Sequence, residues 1–442
     1  MIVSRARWHL PHLIFKNISR FNIHATVRPS LRRANMALPI SSPSPRLDRF
    51  QQAMESIYGS FSLIEDPKSW NPPSKSGGHR GRYLWTDAFG VINLLTMHHE
   101  YCRAGGENIS DDRYLQLARR LIETVHDVLG RTRDGLSRLP GATESNPLGG
   151  GLRIGKENEH GPDCDGQYHH YLTVWMFALN RMALASGDME YNRQAVNLAR
   201  AIHPKFFVDR SARRPRMMWK MNMDLSVPLV SSEGNLDPID GFVIFRIVQA
   251  TAASAGDGEV LAEEIGDYKR VMERKGEHFV SSDTLDLGMT LWTAHWFSEK
   301  ENWASNLASR CFDQMYNLFE VDQYLSRNIK FRLAFREFGT CLGSSCQSLQ
   351  TTDKERAVDF KTWSDAIITD WDPYMELSIS ESHSPEDLRP ITCVMYATAL
   401  NPGGMIFDLF VSLKLRKLHL LTFLCYPAFC AGYLGAEPPT LQ

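Results

Sequence analysis

The stretch Ala185-Ser-Gly-Asp188, followed by Tyr191-Asn-Arg-Gln-Ala-Val-Asn-Leu-Ala199, decides the fold because its pattern recurs. Arg103-Ala-Gly-Gly106 leads into Asp111-Asp-Arg-Tyr-Leu-Gln-Leu-Ala118, and Ser254-Ala-Gly-Asp257 leads into Leu261-Ala-Glu-Glu-Ile265. Each reads as a helix end, a glycine turn and a new helix. Gly105, Gly187 and Gly256 supply the positive φ that a helix C-terminus favours, and the acidic residues after them suit the first turn of the next helix.

Working outward, Tyr114, Leu117, Ala118, Leu121, Ile122, Val125 and Leu129 fall at helical spacing, as do Tyr191, Ala195, Leu198, Ala199, Ile202 and Phe206. Those helices bury one face. The helices before the turns, 84–97, 171–184 and 242–253, are apolar nearly all round and need enclosure on several sides. A one-face outer helix joined to an enclosed inner helix is a helical hairpin, and about five or six fit between residues 47 and 404. Long connections, 131–164, 207–236 and 275–284, carry each outer helix back to the next inner one, and loops of this length in a compact domain are usually functional. Strand signals are confined to 227–230 and 331–335, so the class is all-α.

The 442 residues carry 49 basic and 51 acidic side chains and are 43% hydrophobic, a globular composition that excludes collagenous, mostly disordered and highly cationic chains. Three parts are expected: a basic arm at 1–47, the helical unit at 48–404 and an atypical apolar segment at 405–442. The arm holds eight basic residues and no acidic one. Two readings stand, a mitochondrial presequence or sequence upstream of a start at Met36. Either places the protein inside the cell, in cytoplasm or mitochondria, and not among secreted proteins. The eight scattered cysteines agree with a reducing compartment. Residues 418–436 carry no formal charge, but His419, Pro427, Gly432 and Gly435 interrupt them, so a buried or interfacial segment is preferred to a membrane anchor.

The alternation of helices, with Arg82-Tyr-Leu-Trp-Thr-Asp-Ala-Phe-Gly90, Gly149-Gly-Gly-Leu-Arg-Ile-Gly-Lys156, Asp163-Cys-Asp-Gly-Gln-Tyr-His-His-Tyr-Leu-Thr173 and Glu233-Gly-Asn-Leu-Asp-Pro-Ile-Asp-Gly241, resembles a fungal and bacterial branch of the six-hairpin glycosidase superfamily. The likeness runs over 49–404 and resumes at Ala431-Gly-Tyr-Leu-Gly435, whereas 405–429 has no counterpart and reads as an insertion or an unspliced intron. It implies an (α/α)6 toroid whose inner-helix ends and long loops frame one central cleft for carbohydrate.

Hydrolysis of a glycosidic bond needs one carboxylic acid to protonate the leaving oxygen and one carboxylate to activate water or attack the sugar. Asp87, Asp165, Asp237 and Asp240 open or precede enclosed helices, with Glu157, Glu159, Asp163 and Glu233 in the loops before them. Asp87, among Leu84, Trp85, Ala88 and Phe89, is expected as the acid, since apolar walls favour the protonated form. Asp165, at the start of the helix through 184, is expected as the base or as an N-cap, with Asp240 or Glu233 as replacement for either role. Trp85, Tyr168 and Trp219 are candidates for stacking on sugar rings, with core packing as the alternative. Arg153, Arg216 and Lys220 are candidates to clamp a uronate carboxylate.

A rival reading makes the protein a sugar epimerase or isomerase in which His169 or His160 moves the proton. A third makes it a non-catalytic carbohydrate-binding or scaffold protein. Gly150 to Lys156 fits a phosphate-loop spacing, but Glu157 stands where Ser or Thr would hold magnesium. No metal, no cofactor and no nucleic-acid partner is expected. The sequence is silent on oligomeric state.

Overall fold

A computed structural model describes residues 45–105, 112–161, 163–380 and 388–401. The basic arm up to residue 44 and the segment 405–442, with the presequence, anchor and insertion readings attached to them, lie outside the described residues. Among those described are twelve α-helices: α1 (Pro45–Tyr58), α2 (Leu84–Gly105), α3 (Arg113–Leu129), α4 (His169–Ser186), α5 (Glu190–Phe206), α6 (Asp237–Ser254), α7 (Ala262–Arg274), α8 (Thr284–Ala294), α9 (Asn302–Tyr316), α10 (Ala334–Gln350), α11 (Lys354–Ser380) and α12 (Arg389–Leu400).

The even-numbered helices form a closed inner ring, in which α2 packs on α4, α4 on α6, α6 on α8, α8 on α10, α10 on α12, and α12 back on α2. Each carries an outer partner, namely α3, α5, α7, α9, α11 and, for α12, the first helix α1. This is the all-α (α/α)6 toroid of six hairpins. The hydrophobic pattern explains the layers. On α3 and α5 every residue expected on the apolar face is buried, and the opposite face is wet. On α4 every residue from Tyr171 to Ala183 is buried, and on α6 every residue from Asp237 to Gln249. A helix enclosed on all sides can satisfy such a sequence only inside the ring.

Two details of the ring depend on particular residues. A Cβ on Gly288 of α8 would lie 2.1 Å from the carbonyl oxygen of Gly339 on α10, so these backbones meet with no side chain between them. The seam where the chain closes on itself is polar: Asn93 of α2 donates to the Val394 carbonyl at 3.0 Å, and Arg49 of α1 reaches the hydroxyl of Tyr396.

Strand pairing is minimal and falls elsewhere than expected. β1 (Gln167–Tyr168) pairs antiparallel with β4 (Lys220–Met221), and β2 (Phe207–Val208) with β3 (Arg216–Met217). The 227–230 stretch contributes a single bridge, Met221 to Pro228, and Phe331 ends a 3-10 turn before α10. The β1–β4 ribbon ties the long loops before α4 and α6 to each other, and β2–β3 closes a turn within the second. The first ribbon also holds Gln167 and Tyr168 extended, so α4 starts at His169 rather than near Gly166.

Candidate active site

At the starts of the inner helices the chain offers carboxylates in two very different settings. On α2, Asp87 Oδ1 accepts from Ser76 Oγ at 2.5 Å, from Tyr58 at 3.1 Å and from Arg82 at 3.3 Å. The side chain is 0% exposed. Burial raises its pKa, and Arg82, Ser76 and Tyr58 offset only part of that rise. Oδ2 is buried without a hydrogen-bond partner among the described residues. The sequence-derived expectation of a raised pKa therefore matches, but the acid is sealed from the cleft.

Asp165 is sealed in a different way. Its Oδ1 accepts from the backbone N–H groups of Gly155 at 2.9 Å, Gly166 at 3.0 Å and Lys156 at 3.2 Å. Its Oδ2 accepts from Arg153 at 2.6 Å and Arg133 at 2.9 Å, and neither Asp165 nor Arg153 is exposed. Five donors on one carboxylate make a loop staple. Because α4 begins four residues later, Asp165 is not its N-cap, and Tyr168 occupies that position without a side-chain bond. As geometry, then, the expected pairing of Asp87 with Asp165 across one hollow is corrected: each is enclosed by its own partners.

The adjacent helices α6 and α8 present a second setting. Asp237 and Asp240 stand in the first turn of α6, and Asp283 and Asp286 at the start of α8. Asp283 is the N-cap, its Oδ1 accepting from Leu285 N at 2.9 Å and Asp286 N at 3.3 Å, and its Oδ2 meets Arg336 of α10. Asp286 accepts from Ser281 Oγ at 3.0 Å and retains partial exposure. Burial, then the charge of Asp283, lifts its pKa to about 6. Asp240 is buried and pushed well above the usual carboxylate range by burial and by Asp237, with Thr293 Oγ1 3.2 Å away.

Asp237 moves the other way. Burial would raise it, but His169, whose Nδ1 lies 3.5 Å from its Oδ1, and His170 at 3.9 Å together hold it below the ordinary aspartate value. A Cβ on Gly234 would sit 1.9 Å from Asp237 Oδ2, so the loop covers this carboxylate only because residue 234 is glycine. Glu233, one residue earlier, is held by Arg274 at 2.7 Å and anchors that loop.

Aromatic groups line the approach from α2 and α4. Tyr83 and Tyr171 share a hydroxyl–hydroxyl bond of 2.9 Å, and the charge of Asp163 acts on both while Arg336 acts on Tyr171. Arg336, which acts on Tyr171 of α4, is also the partner of Asp283 at the start of α8. Trp85 is 2% exposed and packs on Phe89, His170 and Tyr171. Tyr168 is also buried, with the ammonium groups of Lys156 and Lys220 over its ring. Trp219 keeps a partly exposed face and donates to Ser232 Oγ at 3.1 Å.

The expected anion clamp is dispersed. Arg153 is spent on Asp165, Lys220 donates to the Cys164 carbonyl at 2.8 Å, and Arg216 lies exposed on the β2–β3 ribbon. His160 is on an exposed loop, and His169 is fully enclosed. Among the described residues no group of three or more His, Cys, Asp or Glu side chains is arranged to hold a metal, and no helix is long and apolar enough to cross a membrane.

Asp286 and Asp283 escaped the sequence reading, although Asp283-Thr-Leu-Asp286 repeats the spacing of Asp237-Pro-Ile-Asp240 at the start of the next inner helix. That repeated pair was the available signal.

No protein-family model matches the chain, and no curated protein sequence matches it. Solved structures do share its architecture. A selenomethionine derivative of a GH76 α-mannanase from Bacteroides thetaiotaomicron superposes with a TM-score of 0.50 at 8% identity, over 84% of this chain and 98% of that one. A family 76 glycoside hydrolase from a bovine Bacteroides thetaiotaomicron strain gives 0.51 at 10% identity, over 81% of this chain and 78% of that one. At such identities the likeness establishes the fold alone, an (α/α)6 toroid of six helical hairpins.

Proposed function

We propose that the protein is a glycoside hydrolase in which Asp286 is the general acid and Asp237 the general base or nucleophile. The observation that carries this reading is a pair of neighbouring carboxyls with pKa values driven apart. Asp286 is lifted to about 6, Asp237 is held low chiefly by His169, and the charge of Asp237 acts on Asp286. Two carboxyls so separated supply the acid and base of glycoside cleavage. Asp286 gives its proton to the leaving oxygen, while ionised Asp237 activates water or attacks the anomeric carbon. Asp240, one turn further along α6, has its charged form disfavoured by burial and by Asp237. Trp219 and the Tyr83–Tyr171 edge offer surfaces for sugar rings.

The substrate we favour is a neutral glycan. Arg153 and Lys220, which could clamp a uronate carboxylate, are bound instead to Asp165 and to the Cys164 carbonyl. The α-mannanase of like fold makes α-mannan the first glycan to assay. Full-length protein is incubated with α-mannan, other neutral polysaccharides and a uronoside panel, and new reducing ends are measured beside Asp237→Asn and Asp286→Asn. Release from a neutral glycan that both variants lose supports the assignment. Release that either variant retains, or none from any glycan, overturns it.

A further inference from the structure

Asp237 has a supporting chain behind it that reaches through two layers of the toroid. Tyr268 sits on the outer helix α7, yet its hydroxyl lies 2.6 Å from Nε2 of His169 on the inner helix α4. The ring gets there by crossing α6 at Gly241, where an added Cβ would stand 2.2 Å from Tyr268 Cε1. Both residues are 0% exposed, and the Phe206 ring packs edge-on against the imidazole. The other imidazole nitrogen, Nδ1, faces Asp237 Oδ1 at 3.5 Å.

We infer that Tyr268 is a positioning residue for the reaction proposed above: its hydroxyl donates to His169 Nε2, fixing the proton on Nδ1 and aiming that N–H at Asp237. The argument is one of donors and acceptors. A buried tyrosine hydroxyl has one proton to give, and the nearby imidazole nitrogen accepts it only if it carries no proton of its own. A neutral imidazole then bears its single hydrogen on the opposite nitrogen, so the bond at one side sets the tautomer at the other. The tyrosine stays protonated throughout, since burial, with the charges of Asp237, Glu264, Asp267 and Asp240, raises it well above its ordinary value. Nδ1–H is the form that stabilises an ionised Asp237, and the 3.5 Å separation closes to a hydrogen bond with a small rotation of either side chain. The other charged or titratable groups facing Asp237 are His170, Lys275, Asp240 and Asp286.

This inference rests on the assignment of Asp237, but its test includes a readout that needs no substrate. Full-length protein labelled with 15N-histidine, with the His169 signals identified by their loss in His169→Gln, reports each ring nitrogen separately. We expect a protonated, pyrrole-type Nδ1 and an unprotonated, pyridine-type Nε2 at pH 7. Tyr268→Phe and, independently, Gly241→Ala, which pushes the ring away, mix the two tautomers. Both variants lower kcat by roughly tenfold, the scale on which partners behind a functional imidazole act, and leave KM within about twofold. The acidic limb of the pH profile moves upward. A pyridine-type Nδ1 in the wild-type protein overturns the inference without Tyr268→Phe or Gly241→Ala having to fold, and so does a Tyr268→Phe protein with unchanged tautomer and unchanged kcat. The tautomer result stands even if no glycan is cleaved, so the two readings fail separately.

Discussion

The two halves of the inner rim use aspartate in opposite ways. On the α2 and α4 side, Asp87 and Asp165 are enclosed, and Arg82 or the Arg133–Arg153 pair reaches each carboxyl. On the α6 and α8 side only the N-cap Asp283 has an arginine, Arg336; Asp237, Asp240 and Asp286 make no arginine pair, and a histidine, a threonine and a serine contact them instead. All of these carboxyls stand at or shortly before the start of an inner helix. What differs is the partner, and arginine converts a carboxylate into a fastening, whereas imidazole and hydroxyl groups leave its proton adjustable.

The largest expected effect breaks or keeps this division outright. Asp237→Asn and Asp286→Asn each lower kcat on the cleaved glycan by about 10²–10⁴-fold, the range of acid or base catalysis, while thermal unfolding shifts little. Measured rates that fall as far for Asp87→Asn at unchanged stability would dissolve the contrast. Next, Asp165→Asn leaves Arg153 buried with no counter-charge and costs about 3–5 kcal/mol in urea denaturation, the scale for breaking a buried pair.

A smaller effect is the pH profile. Hydrolysis needs Asp286 protonated, so kcat/KM is expected to fall about tenfold per unit above pH 6, with the acidic limb set by Asp237 below the ordinary aspartate value near ~3.9. A flat profile between pH 6 and 8 would remove Asp286 as the acid. The smallest effect is Asp87→Asn: burial already penalises the charged form of this carboxyl, so replacing it costs less in urea denaturation than Asp165→Asn does. A raised carboxyl makes the folded state hold its proton more tightly than the unfolded chain, so stability falls as pH rises through the unfolded value towards the folded one. Urea midpoints at pH 4 and pH 7 should therefore lie closer together in the variant than in the wild type.

Much of the architecture was legible in the sequence because the contrast between one-face and all-round apolar helices is a local signal. The hairpins α2–α3, α4–α5 and α6–α7 also carry a Gly turn that punctuates them. The later ones do not: α8 joins α9 through His295-Trp-Phe-Ser-Glu-Lys-Glu301, and α10 joins α11 through Thr351-Thr-Asp353, so they were inferred only from available length. The site was legible in kind and not in assignment. Inner-helix aspartates stand out in a sequence, but Arg133 lies 32 residues from the Asp165 it fastens, inside a long loop with no periodicity to place it. Tyr268 went unread, since nothing local reveals that its hydroxyl arrives at a histidine 99 residues away.

The pairing of α1 with α12 has a consequence for how the molecule comes into being. The first described helix has no hairpin partner until the last described one has been made, and their contact at Arg49 and Tyr396 spans 347 residues. Five hairpins can assemble as they are translated, but the sixth must wait, and a contact of such sequence separation forms slowly. Until then the apolar flanks of α2 and α10 have no neighbour to cover them. Closing the circle is thus the step at which a nascent chain is most open to aggregation, and trimming α1 would prolong that exposure indefinitely.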